Sequence, residues 1–283
     1  MHVFTTNKEL IHFLENERIK RKKIGFVPTM GALHPGHMAL IKNALKDTDI
    51  CVCSIFVNPT QFNNEEDLKK YPRTVEEDLA QLEKEGCQVV YLPDVHELYD
   101  DPSRIRTTLH FGDIENILEG RYRPGHLQGV GIVVAKLFNI VRPDHAYFGQ
   151  KDLQQFQLVR QLIHDLSYSV ILHAVPTQRE EDGLAMSSRN RRIDAENRKV
   201  ACKLYECLLE GSRLLKNGFD PQNLQSFAED YISRYDALRL EYIALVDMEN
   251  FKTLNRMEDA GRKALCIAGY VGNIRIIDNV LLN

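Results

Sequence analysis

Up to about residue 175 the apolar positions follow two alternating rhythms: short continuous runs, and longer stretches with an apolar residue every three or four places. The short runs predict strands at 24–27, 50–57, 88–92, 146–148 and 169–175. The longer rhythm predicts helices at 36–46, 74–85, 126–141 and 153–166. Ahead of them, Thr6 and Glu9 make a capping box for a helix reaching about Lys20, and the basic run 18–23 closes it favourably for the helix dipole. Strands that alternate with helices in this way predict βαβ units and a Rossmann-like, doubly wound parallel sheet.

Beyond Pro176 the pattern changes. A charged, glycine-containing stretch, 178–192, leads into an amphipathic helix striped by Val200, Leu204, Leu208 and Leu215. Asp220 and Pro221 are a cap and first-turn proline for another helix running towards Tyr235. Strand-like runs at 240–246, 264–270 and 274–282, with turns at 248–250 and 272–273, finish the chain. A length of 283 residues exceeds one average core. The expectation is therefore a Rossmann-like α/β domain over 1–176 and a smaller C-terminal α+β lid domain over 177–283.

Composition narrows the partners. A net charge of -4 lacks the basic field of a nucleic-acid reader. The apolar runs stop far short of the roughly 20 residues of a membrane span, and the first eight residues are polar, so a cytoplasmic protein without a membrane anchor is expected. Six cysteines without a Cys-x-x-Cys pair read as buried thiols in a reducing compartment.

Four loops carry candidate chemistry. Residues 28–37, Pro-Thr-Met-Gly-Ala-Leu-His-Pro-Gly-His, follow the first predicted strand and open a helix, where unpaired backbone donors favour a phosphate chain. Gly31 and Gly36 admit close backbone approach there, and His34 and His37 share one helix face and can stabilise charge growing on a phosphate. Taken alone, the histidines are equally capping or surface residues, and zinc would need a third ligand that no nearby pattern supplies. In Phe-Val-Asn-Pro-Thr-Gln-Phe at 56–62, Asn58 and Gln61 are neutral amides suited to a small hydroxy acid, although Asn-Pro is also an ordinary loop opener. In the third loop Lys151 offers a positive charge, Asp152 a cap or a ribose contact, and Gln155 lies one turn beyond Lys151 while Gln154 points elsewhere. The fourth, 182–190, holds Ser187, Ser188 and Arg189, which can wrap phosphate oxygens, with Gly183 for mobility; it reads otherwise as a solvated linker.

Taken together these motifs closely resemble the pantothenate synthetase family, within the superfamily of nucleotidylyltransferases and class I aminoacyl-tRNA synthetases. The resemblance also runs through Tyr-Pro-Arg at 71–73, Arg-Pro-Gly-His at 123–126, Lys-Leu-Phe-Asn-Ile-Val at 136–141 and Phe-Gly-Gln-Lys-Asp-Leu-Gln-Gln at 148–155. It implies ATP-dependent condensation of pantoate with β-alanine through a pantoyl adenylate, releasing pyrophosphate and AMP, with Mg2+ accompanying the nucleotide. It implies His34, His37 and Lys151 at the transition state. ATP would lie along Met30, Gly31, Ala32, Leu33, His34, Pro35, Gly36 and His37, along Gly149, Gln150, Lys151 and Asp152, and along Gln178, Met186, Ser187, Ser188 and Arg189. Gln61 and Gln155, with Asn58, would hold pantoate or β-alanine, and a homodimer through the N-terminal domain is implied as well.

Gln178, Leu127, Gly131 and Met186 depart from the family pattern, which has a small apolar residue, Phe, Thr and Leu there. Glu77 and Asp78 fall near the phosphate side but read as exposed residues of a charged helix, so the metal's ligands stay unassigned. A nucleotidylyltransferase acting on another small substrate would share the His-x-Gly-His loop without needing Gln61 and Gln155, and is the competing reading.

Overall fold

The computed structural model describes residues 1–257 and 261–282. Strands β1 (His2–Phe4), β2 (Ile24–Thr29), β3 (Ile50–Ile55), β4 (Val89–Tyr91), β5 (His145–Gly149) and β6 (Ile171–Val175) form one parallel sheet in the order β1-β4-β3-β2-β5-β6. Helices α1 (Asn7–Ile19), α2 (Pro35–Asp47), α3 (Glu65–Lys70), α4 (Val75–Glu85), α5 (Val95–Leu98), α6 (Leu118–Tyr122), α7 (His126–Val141) and α8 (Leu153–Asp165) lie along the connections. The chain winds outward from β2 through β3 to β4, then returns to place β5 on the other side of β2. Open α/β sheets bind ligands at such a reversal, beyond the carboxyl ends of the strands.

The central strands are apolar on both sides because both faces are covered. Ile24, Phe26, Ile50 and Val52 point into the cluster that includes α1 and α7, whereas Val27, Cys51, Cys53 and Ile55 point into the one beneath α2. All six cysteines are buried free thiols, as expected. Thr6 caps α1, accepting the Glu9 N–H and donating to the Glu9 carboxylate. Strand β1 was not foreseen: three mostly exposed residues at the sheet edge show no apolar rhythm and are ordered by pairing with β4 and by packing of His2 and Phe4 on Phe13.

Helices α9 (Ala195–Arg198), α10 (Lys203–Lys216) and α11 (Leu224–Ile232) precede an antiparallel sheet of β7 (Leu238–Asp247), β8 (Lys263–Val271) and β9 (Ile274–Leu282). Val200 falls before α10, and Asp220 caps a short 3-10 turn, so the last helix begins at Leu224 and stops short of Tyr235. Strand β8 serves two cores through its alternation: Ala264, Cys266 and Ala268 face the parallel-sheet half, while Leu265 and Ile267 face α10 and α11. Small residues on the first face let the two halves approach closely.

A buried ion cluster bridges the halves. Glu119 of α6 accepts from Arg275 of β9 at 2.7 and 2.8 Å and from the Tyr242 hydroxyl of β7 at 2.8 Å. Burial pushes the Glu119 carboxyl up, but Arg275 and Arg123 outweigh it and bring its pKa down to about 2.

Candidate active site

The loop after β2 is held by contacts to three other segments. The Thr29 hydroxyl donates to the Ser54 carbonyl and accepts the Gly31 N–H. Asp78 accepts the N–H groups of Ala32 and Leu33, the Ser188 hydroxyl donates to the Ala32 carbonyl, and Arg191 donates to the Leu33 carbonyl. His34 is the N-cap of α2: its Nδ1 accepts the Gly36 N–H at 3.1 Å, and its own N–H donates to Nδ1 of His37 at 3.3 Å. The backbone donors of this turn are thus engaged within the protein, which corrects the expectation that they are free to cradle phosphate. Gly36 serves the same arrangement, since a Cβ there would come within 2.8 Å of the His34 ring.

With both Nδ1 atoms accepting, the two imidazoles carry their protons on Nε2. Their centroids lie 4.0 Å apart. Burial, His37 and Lys151 lower the pKa of His34 to about 3; burial and Lys151 lower that of His37 to about 4. Both are neutral donors at physiological pH.

After β3 the chain turns through Asn58 and Gln61. Asn58 is 1% exposed, and its amide is fully partnered. The oxygen accepts the hydroxyls of Tyr99 and Thr60, each at 3.0 Å, and the nitrogen donates to the Gln61 side chain at 3.1 Å and the Gly129 carbonyl at 3.2 Å. Asn58 therefore orients Gln61. His126 adds a second restraint: it accepts from Arg123 at 2.9 Å and donates from Nδ1 to the Gln61 carbonyl at 2.8 Å. Burial and Arg123 lower its pKa to about 3.

Beyond β5, Lys151 sits in a 3-10 turn whose carbonyls at Gln150 and Lys151 are each bound by the Asn279 amide at 2.9 Å. Gln154 turns away, as expected, accepting the Glu119 N–H and donating to the carbonyls of Ile114 and Ile117. Beyond β6, the chain folds back on itself with a bridge between Arg179 and Ala185, and Arg179 grips Asp278 of β9 with two hydrogen bonds. Arg189 is held by Asp67 of α3 at 2.8 Å, and Arg192 binds the other oxygen of that carboxylate at 2.6 Å.

These loops enclose a cavity of about 200 Å³. Met30, His34, Gly36, His37, Asn58, Gln61, Gly149, Lys151, Asp152, Gln155, Gln178, Met186, Ser187, Ser188 and Arg189 all line it. Gly31, Ala32, Leu33, Pro35 and Gln150 do not: Gly31 to Leu33 are buried behind the wall, where Asp78 holds Ala32 and Leu33, and Pro35 is exposed. The sequence reading missed the apolar wall of Val130, Val133, Val134 and Leu137, because α7 is apolar nearly all round and its pattern does not single out one face. It also missed Tyr71 and Thr177, whose buried hydroxyl has no protein partner. At Gly131, the Phe111 ring fills the space a side chain would need, 2.6 Å from any Cβ. Asp78 is wholly buried, contrary to the exposed-helix expectation, whereas Glu77 is exposed and pairs with Arg191.

A parallel sheet with a switch-point cavity, lined by two neutral histidines, a lysine and an arginine, defines an α/β enzyme acting on an anionic nucleotide-like group. The chain belongs to the pantoate-beta-alanine ligase family, whose profile matches residues 2–281. It is 42% identical to the pantothenate synthetase of Cytophaga hutchinsonii over 98% of each chain, and 44% identical to that of Thermotoga petrophila over 100% of both. The crystal structure of pantothenate synthetase from Thermus thermophilus superposes with a TM-score of 0.90 at 39% identity, covering 100% of this chain and 99% of that one. A pantoate-beta-alanine ligase from Francisella tularensis, solved with Beta-gamma ATP and Beta-alanine, superposes with a TM-score of 0.81 at 35% identity over 99% and 97%.

Proposed function

We propose that this cavity joins pantoate to β-alanine in two steps at the expense of ATP. In the first, a pantoate carboxylate oxygen attacks the α-phosphorus, the bond to the bridging oxygen of pyrophosphate breaks, and pantoyl adenylate forms. In the second, the β-alanine amine attacks the acyl carbon, loses a proton and expels AMP. The observation that carries this reading is the pair of Nε2–H donors of His34 and His37 beside Lys151, on the same cavity as Gln61 and Gln155. Neutral donors and one fixed cation suit charge spreading over phosphate oxygens, and phosphoryl transfer asks for alignment more than for a nucleophile. Gln61 and Gln155 suit the hydroxyl and carboxylate oxygens of pantoate, and the wall of Val130, Val133 and Val134 suits its branched carbon skeleton.

The ATP contacts proposed are those that line the cavity, from Met30, His34, Gly36 and His37 through Gly149, Lys151 and Asp152 to Gln178, Met186, Ser187, Ser188 and Arg189. Asn58 acts in this reading by orienting Gln61. Mg2+ belongs to the proposal as part of MgATP. Among the described residues no group of three or more His, Cys, Asp or Glu side chains could hold a metal, and Mg2+ suits a setting in which phosphates and water supply its ligands. Residues 177–283 are the proposed lid over a nucleotide-binding domain of residues 1–176. A homodimer and a cytoplasmic location complete the proposal; no helix among the described residues is long and apolar enough to cross a membrane.

The test is product analysis with ATP, pantoate and Mg2+, with and without β-alanine. Pantothenate and AMP are expected in equal amounts and only when β-alanine is present. ATP turnover indifferent to pantoate would favour the nucleotidylyltransferase reading.

A further inference from the structure

The turn that carries His34 and His37 is conformationally costly. Gly31 has φ +78° and Ala32 has φ +50°, so a non-glycine residue occupies the left-handed region directly before the two histidines. Side chains rarely adopt that region, and such residues persist where their surroundings over-determine them. Here the Ser188 hydroxyl and Arg191 hold the carbonyls of Ala32 and Leu33, and one buried carboxylate holds both of their N–H groups. Asp78 of α4 is 0% exposed; its Oδ2 accepts the Ala32 N–H at 2.8 Å and its Oδ1 accepts the Leu33 N–H at 2.7 Å. The Thr74 hydroxyl donates to Oδ1 at 3.1 Å and fixes the carboxylate's rotation. Gly31 fits the same contact, because a Cβ there would lie 3.0 Å from Oδ2.

We propose that Asp78 is a positioning residue for the reaction, holding Ala32 left-handed so that α2 begins with His34 and His37 turned towards the cavity. The role needs a carboxylate. It receives two backbone N–H groups on separate oxygens, whereas an asparagine would set its own N–H2 against one of them. Nothing in this role calls for contact with substrate, since Asp78 lies behind the loop and off the cavity wall. The proposal rests on the reading that the two histidines act on the transferring phosphoryl group.

The test is a double-mutant cycle on the full-length protein. Asp78→Asn is expected to lower kcat by about tenfold to a hundredfold, the upper end being the loss of one transition-state donor. KM for pantoate should change little, because Gln61 and Gln155 stand on other loops. In an Ala32→Gly background, where the left-handed turn carries no steric cost, the same Asp78→Asn change should lower kcat by several-fold less. If Asp78→Asn does not accumulate as folded protein, Thr74→Val serves in its place, with a smaller fall in kcat that Ala32→Gly again diminishes. Unchanged kcat, or strictly additive losses in both backgrounds, overturns the proposal. His37→Gln separates it from the reading beneath it: full activity there sinks that reading, whereas a loss at His37 without one at Asp78 sinks only the positioning role.

Discussion

Asn279, on the last strand, donates its side-chain amide to the carbonyl of Lys151 at 2.9 Å, linking two residues 128 positions apart. The same nitrogen binds the Gln150 carbonyl, so β9 sets the turn that aims Lys151 into the cavity. Asn279→Ala leaves those carbonyls without their donor at a buried site, at a cost of about 1–3 kcal/mol. It should lower kcat roughly tenfold or more while KM for pantoate changes little. Steady-state kinetics with each substrate varied decides this; a change confined to KM for pantoate would contradict it.

Asp67 grips Arg189 and Arg192 where the proposed phosphates would compete for Arg189. Burial pushes the Asp67 carboxyl up, but the two arginines outweigh it and keep it ionised. Asp67→Asn is expected to tighten binding of ATP and pyrophosphate by about threefold to tenfold, since one charge-assisted contact is no longer in competition. Equilibrium titration by calorimetry is the measurement. Weaker binding would show instead that Asp67 holds Arg189 in its working position.

Acid should destabilise the fold in two stages. His34, His37 and His126 have pKa values of about 3 to 4 in the folded protein, against roughly 6.5 when unfolded. Between those values the unfolded chain binds more protons, so stability falls as pH drops below about 6.5. His126, 7% exposed, accounts for about 3 kcal/mol of that fall by pH 4. Glu119, with a pKa of about 2, adds a second loss as pH falls through the range below roughly 4.5. Urea unfolding at a series of pH values should show the slope, and His126→Gln should flatten its upper part; an unaltered slope would contradict the assignment.

Much of this fold is legible in the apolar rhythm. Helix α7 begins and ends at the expected residues, and the strands that carry the site loops lie within a few positions of expectation, because βαβ units are patterned locally. What escaped were partnerships made across long sequence distances. Asp78 shares its charge with its neighbours along α4, and only the fold reveals that it turns inward to Ala32 and Leu33, 45 or more positions away. The anchoring of the stretch 178–192 escaped for the same reason, since Asp278, the partner of Arg179, is 99 residues beyond it. The histidines themselves were legible by motif, but not the hydrogen bonds at Nδ1 that place their protons on Nε2, nor the burial that keeps them neutral.

The most direct test of the central claim is exchange of labelled pyrophosphate into ATP with pantoate present and β-alanine absent. A reversible first step that forms pantoyl adenylate predicts exchange that requires pantoate and is abolished or greatly reduced in His37→Gln. Exchange without pantoate, or none with saturating pantoate while pantothenate is still made once β-alanine is added, would contradict a separate adenylate-forming step.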